Sequence, residues 1–543
     1  MWQVFSDGLS VLTEKWLVVV GAVIILCLAG TPIFFFSRAT RKGKEVPRRS
    51  IFLLVAFFTV SVILRLVFLT GTFVPPYFDS VEHYRIIKAL AMAMGSSNLP
   101  ETIPALIPSY YHIGFHFLAE LLTFGLRADP MDVILVLGQV ILAAIPIPIL
   151  FLIREETHSD AAAFFGALLA GFGWYMPGFA VNWGKYPALA GLLALEFVLG
   201  LANLVPGQRT SRLRFWLIPT LILSIILAVF LHTRTLVVIV FALVSWLIAR
   251  GLENFSKKNQ LLSVGIFLIV VLILGYLIWQ EPLLHLALEP YLKDGLWVTV
   301  VIAVLSPFAF VKFPRDACFG LLLIGFVFAA LFIPISPGLP GLENQTLLDR
   351  PFVEMFLYLP LSFLGGLGLA GLLQTLKEMK TLPEQLHSYA GILTAIVFLG
   401  FAVLIPVRDY NFYPSDCCKF VSHDDIVAFD WLEDHLPSDA HILVAGTQLS
   451  VLPSGPATGL VGTDGGIWIP ALTGRNISYM PFNTDFSSSD TLDDMCRQQI
   501  SYIYVGSTNQ KFDISQLQAK ADWYEAIFSL PNVQIYRIKG CSQ

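Results

Sequence analysis

IFLLVAFFTVSVILRLVFLT, Ile51–Thr70, is followed after four residues by PPYFDSVEHYRIIK, Pro75–Lys88, and the reading of this pair decides the fold. Twenty apolar residues are the length of a helix that crosses a bilayer. The second stretch sets ionisable groups directly after it. With a helix starting near Asp79, residues Asp79, Glu82 and His83 fall at i, i+3 and i+4 and share one face, while Arg85 and Lys88 point elsewhere. Asp79-x-x-Glu82 is also the spacing of a capping pair at a helix start. An acidic cluster crowded by apolar residues at a membrane surface is expensive to keep unless it is used.

Working outward, 543 residues that are 56% hydrophobic and 13% charged, with a mean hydropathy of +0.72, describe an α-helical polytopic membrane protein. The run Trp16–Phe36 has no cleavage motif after it and no basic stretch before it, so it reads as a retained helix. Apolar runs predict about twelve transmembrane helices, near 16–36, 51–70, 132–153, 159–176, 187–205, 215–231, 235–249, 261–279, 296–311, 317–334, 353–373 and 389–406. One set of alternate connections holds 17 Lys and Arg, six of them in the loop 37–50, against seven in the other. That bias puts loop 37–50 in the cytoplasm and external loop 71–131, with Asp79, on the other side of the cell membrane. With a net charge of −5 and the basic residues clustered in short loops, nothing suggests a nucleic-acid partner.

Tyr110–Leu126 is apolar enough to pass for a further span, but His112, His116 and Glu120 recur every fourth residue. That stripe predicts an interfacial helix with a wet face. Beyond the transmembrane module 1–406, residues 407–543 carry eight basic and sixteen acidic residues. Short β-type runs at His441–Ala445, Ile500–Val505 and Asn532–Ile538 alternate there with helical patterns at Asp424–Leu436 and Ile514–Leu530. This predicts an extracytoplasmic C-terminal α/β domain with its own core. Cys417, Cys418, Cys496 and Cys541 all fall in it, enough for two disulfides or four thiols; if bonded, adjacent Cys417 and Cys418 each take Cys496 or Cys541.

Further candidate groups sit at outer ends of spans. PGFAVNWGKYP, Pro177–Pro187, brings Trp183, Lys185 and Tyr186 outside, either as an aromatic belt with a snorkelling Lys or as part of a site. His232 and Arg234 end the sixth span in LHTRTL, Arg350 opens the eleventh in NQTLLDRPF, and Arg65 lies within the second. Cations around one outer cavity suit a phosphate headgroup. In the C-terminal domain, DGGIWIPALTGRNISYMP, Asp464–Pro481, reads as a Gly-rich structural loop.

FDSVEHY after an early span, an interfacial helix, NWGKYP in the next outer loop and an external domain carrying WIPALTGR together resemble the polyprenyl-phosphate-dependent glycosyltransferases of the GT-C superfamily, in the manner of oligosaccharyltransferases and mannosyltransferases. The resemblance implies a membrane-bound enzyme of the cell envelope. It would move a sugar from a polyprenyl-phosphate-linked donor to an external glycan, lipid or protein acceptor, with inversion. Asp79 matches the acidic residue of the first external loop and is expected as general base, with Glu82 or His83 orienting it or binding the acceptor. Arg350, Lys185, Arg234 and His232 are expected around the donor phosphate, and Tyr84, His112, His116, Trp183 and Tyr186 around the acceptor. The sequence departs from the family where Ser80, not a second acid, follows Asp79, and where Pro177–Pro187 holds no carboxylate. A divalent metal is therefore not supported, and no cofactor is assigned. The competing reading is a lipid or polysaccharide transporter or flippase without glycosyl transfer, a class that places polar groups near the midplane.

Overall fold

The computed structural model describes residues 1–40, 48–94, 112–205, 211–258, 260–335, 345–379, 384–448 and 459–541. Up to Arg408 the described chain is almost wholly helical, and a smaller domain built on one sheet follows.

Among the described residues, six helices are long and apolar enough to cross a membrane: Phe52–Leu69, Pro130–Thr157, Tyr186–Leu204, Arg214–Leu231, Thr235–Leu252 and Arg350–Glu378. The number rises to eight if each of two bent pairs, Trp2–Glu14 with Trp16–Pro32 and Leu268–Gln280 with Pro282–Leu292, is one broken span. This is compatible with a polytopic membrane protein but corrects the expectation of twelve spans. The reason is length. Asp160–Phe172 is a helix of 13 residues, about 20 Å at 1.5 Å per residue, against a hydrocarbon thickness of about 30 Å. Leu296–Lys312 and Tyr389–Ile405 are likewise short as apolar helices.

Helix Pro130–Ala144 runs through the middle of the bundle, with every residue from Val133 to Ala144 buried. Elsewhere in the bundle Leu296–Lys312 and Asp160–Phe172 both pack on Tyr358–Glu378. Glycines let the last of these come close: a Cβ on Gly368 would stand 2.6 Å from the Leu305 carbonyl oxygen. Close backbone approach of this kind is how helices associate where lipid removes the hydrophobic driving force. By contrast, Arg214–Leu231 turns Phe215, Ile222, Leu223 and Ile226 outward, an exterior suited to hydrocarbon.

The Gly114–Leu126 helix reverses the expected faces. His116 and Glu120 are buried against the protein, whereas Phe117, Leu121 and Phe124 are exposed. The polar stripe follows the protein interior, and the apolar side is the outer one.

The C-terminal sheet comprises β1 (His441–Gln448), β2 (Leu460–Gly462), β3 (Asn476–Pro481), β4 (Tyr502–Val505), β5 (Tyr524–Ser529) and β6 (Gln534–Ile538). β1 is parallel to β3 and β4 and antiparallel to the short β2. β6 joins β4 and β5 antiparallel. The helix His423–His435 starts at a full capping box between Ser422 and Asp425. Two expectations change. Ile514–Leu530 is a short helix, Ile514–Ala519, followed by β5, and the stretch Asp464–Pro481 contains β3 rather than being loop throughout. The disulfides are Cys417–Cys418 and Cys496–Cys541, so the adjacent cysteines pair with each other.

This domain rests on the helix Phe78–Met94. Fully buried Trp468 meets Tyr84 edge to face, with ring centroids 5.7 Å apart. The connector is pinned as well: Tyr77 N–H donates to the Cys418 carbonyl at 2.9 Å, and Ser415 N–H to the Asn182 side chain at 2.7 Å. Asp79 and the sheet domain therefore occupy the same end of the bundle.

Candidate active-site cavity

The helix Phe78–Met94 carries Asp79 in its first turn. Asp79 is not a cap: its carboxylate pairs with the Lys185 ammonium, and Glu82 pairs with Arg85 at 3.0 Å. The capping box that the spacing allowed is not formed. What brings Lys185 there is Gly184, whose φ of +63° suits a residue without Cβ. A Cβ at this position would also stand 2.5 Å from Ser80 Oγ and 3.4 Å from Asp79 Cβ. The turn Asn182–Lys185 thus lies directly on the start of the Asp79 helix.

These residues form one wall of a cavity of about 320 Å³, also lined by Glu82, His83, His112, His232, Arg234, Asp349 and Phe352. The opposite wall repeats the first in chemistry. Asp349 caps the helix Arg350–Phe356, accepting from Phe352 N–H at 2.9 Å, and pairs with Arg234 at 2.7 Å. Two acid–base pairs, Asp79–Lys185 and Asp349–Arg234, therefore line the same cavity.

Four histidines sit at and behind its surface. His83 Nε2 lies 2.9 Å from the Gly184 carbonyl. A carbonyl only accepts, so Nε2 carries the proton in neutral His83 and Nδ1 accepts from His116 Nε2 at 2.9 Å. His112 and His232 pack with ring centroids 4.2 Å apart and the rings tilted by 48°, and His232 stacks on Phe352. Burial pulls His83 down to about 4, and burial with the neighbouring His83 and Arg234 pulls His112 down to about 3. Burial also holds His116 and His232 well below the ordinary imidazole value. All four are neutral at neutral pH. Burial works against the charge of Lys185, but Asp79 works for it, and the ammonium ends above its ordinary value. Lys185 and Arg234 are thus the positive charges among the described lining residues.

The structure sorts the expected residues. Asp79, Glu82 and His83 line the cavity together, as do Lys185, Arg234, His232 and His112. His116 stands one layer behind, bonded to His83. Tyr186 is fully buried, packed on Phe115 and His83. Tyr84 faces Trp468, and Trp183 lies against Phe179. Arg350 is not among the lining residues; its guanidinium pairs with buried Glu354 at 2.9 Å. Arg65 belongs to a different cluster, bonded to Tyr410 and the Gly171 carbonyl and set over the Phe172 and Tyr410 rings. The expected ring of cations thus includes neither Arg65 nor Arg350.

Asp349 was missed from sequence. Its signal was present in DRPF: an acid, then Pro two residues on, marks an N-cap with Pro in the first turn. Among the described residues no group of three or more His, Cys, Asp or Glu is arranged to hold a metal ion. Asp79 and Asp349 are each engaged by a cation, so the donor set does not fit a divalent metal.

The model of DUF6541, a family of unknown function, matches residues 4–331. Comparison with curated proteins gives no match.

Proposed function

The chain belongs to that family of unknown function, and we propose from the cavity itself that it is an inverting glycosyltransferase of the GT-C kind, taking its sugar from a polyprenyl-phosphate donor. The observation that carries this reading is that the carboxylate of Asp79 shares a cavity with the cations Lys185 and Arg234. A phosphate-linked sugar already has a good leaving group, so one base and phosphate-stabilising cations suffice.

In the proposed step the acceptor hydroxyl gives its proton to Asp79 as its oxygen bonds the anomeric carbon. The bond from that carbon to the phosphate oxygen breaks on the opposite face, and its electron pair leaves with the carrier phosphate. Both cations are held by carboxylates before the donor arrives. A donor phosphate competes for them, and Lys185 moving toward it would release Asp79 to act as base. Neutral His83, fixed by the Gly184 carbonyl, holds this wall in place.

On this reading the cavity and the C-terminal domain face the extracytoplasmic side of the cell membrane, as the Lys and Arg bias expects. The acceptor is a glycan, lipid or protein there. The test is sugar transfer from a polyprenyl-phosphate donor by the full chain in proteoliposomes. Transfer with inverted anomeric configuration supports the proposal; its absence with a panel of donors, alongside movement of the lipid across the bilayer, would replace it with the flippase reading.

A further inference from the structure

A second cavity, of about 380 Å³, shares no lining residue with the first. Both border the same two helical segments: Ala188 and Met355 face the polar cavity, Leu195 and Phe356 the other. Its wall is apolar, built from side chains such as Leu199, Ile239, Ala242 and Phe363. The volume is within the range of about 300–1,000 Å³ typical of small-molecule sites.

One wall residue breaks the pattern. Glu196 is 1% exposed, it lines the cavity, and neither carboxyl oxygen has a hydrogen-bond partner among the described residues. It sits within the span Tyr186–Leu204. A carboxyl group kept unpartnered in hydrocarbon surroundings is costly, and such residues mark ligand or ion sites.

The other ionisable lining groups are Glu156, Arg315 and Asp316. Arg315 donates to Glu156 at 3.0 Å and to Asp316 at 2.9 Å. With Glu196, the described lining residues include three acids and one base. Arg315 serves two of the acids, and Glu196 has no counter-charge among the described lining residues.

We propose that this cavity is a binding site for a single-chain cationic amphiphile, a long-chain primary amine whose hydrocarbon lies on the apolar wall and whose ammonium pairs with Glu196. An amine takes the proton of the buried acid and so gains an ion pair as well as hydrogen bonds, whereas an alcohol offers hydrogen bonds alone and a fatty acid brings a second acid. The site is separate from the proposed glycosyl-transfer cavity and does not depend on it.

The test is photolabelling of the full chain in nanodiscs with a diazirine-bearing dodecylamine, the labelled residues being mapped by mass spectrometry. Labels should fall on the helices carrying Glu196 and Ala242. Dodecylamine should compete at about tenfold lower concentration than dodecanol, with dodecanoate weaker still. Glu196→Gln should weaken labelling about tenfold, and Ala242→Phe, which fills the cavity without touching the carboxyl, should abolish it. Equal competition by dodecanol or dodecanoate in the unsubstituted protein would overturn the proposal, whether or not either variant folds. Labels outside the cavity, or labelling indifferent to both substitutions, would do so as well.

Discussion

The Gly184 carbonyl accepts a hydrogen bond from His83 Nε2 at 2.9 Å, while the α-carbon of the same glycine lies where any side chain would strike Ser80. One residue thereby sets both the tautomer of His83 and the reach of Lys185 toward Asp79. Gly184→Ala forces a side chain into a left-handed backbone with too little room. It should cost about 1–3 kcal/mol of stability, read as a lower melting temperature. It should also lower transfer activity although no ionisable residue has changed. Unchanged melting and activity would show that the turn can shift without consequence.

Asp349 and Arg234 supply a prediction with the opposite sign. Asp349→Asn keeps the cap, since Asn serves an N-cap about as well as Asp, but removes the charge that engages Arg234. Carrier phosphate no longer has to displace a carboxylate, so affinity should rise several-fold, roughly the weight of about 1 kcal/mol. Competition binding with a polyprenyl phosphate measures it. A weaker or equal affinity would mean that Arg234 is not used for phosphate.

Arg350 was expected at the phosphate but pairs with Glu354, which is 1% exposed on its side chain. Arg350→Ala leaves that carboxyl buried without its partner. The loss should be about 3 kcal/mol at most, the figure for a broken buried pair reduced by the partial exposure of the guanidinium. Adding Glu354→Gln should restore much of the stability. A melting temperature untouched by Arg350→Ala, with carrier affinity lost, would return Arg350 to the phosphate.

Hydropathy made the membrane class and the separate sheet domain legible, because apolar runs and the acid-rich change after Pro406 are local properties. Span number was not. The bend of 90° between Trp2–Glu14 and Trp16–Pro32 leaves no mark in hydropathy. Nor does the stop of Asp160–Phe172 short of a bilayer's width. The stripe of His116 and Glu120 was visible but its direction was not, since periodicity gives a face without saying what covers it. In the site, Asp79, Glu82 and His83 were found by spacing within one helix. Asp349 required knowing that a loop some 270 residues later, by subtraction of the two positions, returns to the same cavity.

Asp464 makes the C-terminal domain sensitive to pH. Burial, with Asp425 nearby, pushes its carboxyl up to about 7, although Gly466 and Gly506 N–H groups donate to it. A carboxyl whose folded value lies above its unfolded one contributes stability that is complete below the unfolded value, about 3.9. That contribution is lost as pH rises through about 7. Melting temperatures of the full chain should therefore fall between about pH 4 and pH 7, and Asp464→Asn should flatten the decline. An equally steep decline in Asp464→Asn would assign the pH dependence to another group.

Asp79 decides the proposed chemistry, and its surroundings make the decision clean. Its carboxylate meets Lys185 and does not cap its helix, so Asp79→Asn removes an ion pair that is partly open to solvent, worth about 1 kcal/mol, and leaves the fold intact. An amide cannot take the acceptor's proton, and loss of a positioned base costs about 10²–10⁴-fold in rate. Lys185→Gln is the companion: it leaves the base and removes a cation, so carrier affinity should weaken. The two variants should differ in kind, Asp79→Asn in kcat and Lys185→Gln chiefly in KM for the donor. Sugar transfer in proteoliposomes, with melting curves on the same samples, reads both. A folded and fully active Asp79→Asn would remove Asp79 as the base; the same loss of kcat in both variants would mean that the pair acts as one structural unit.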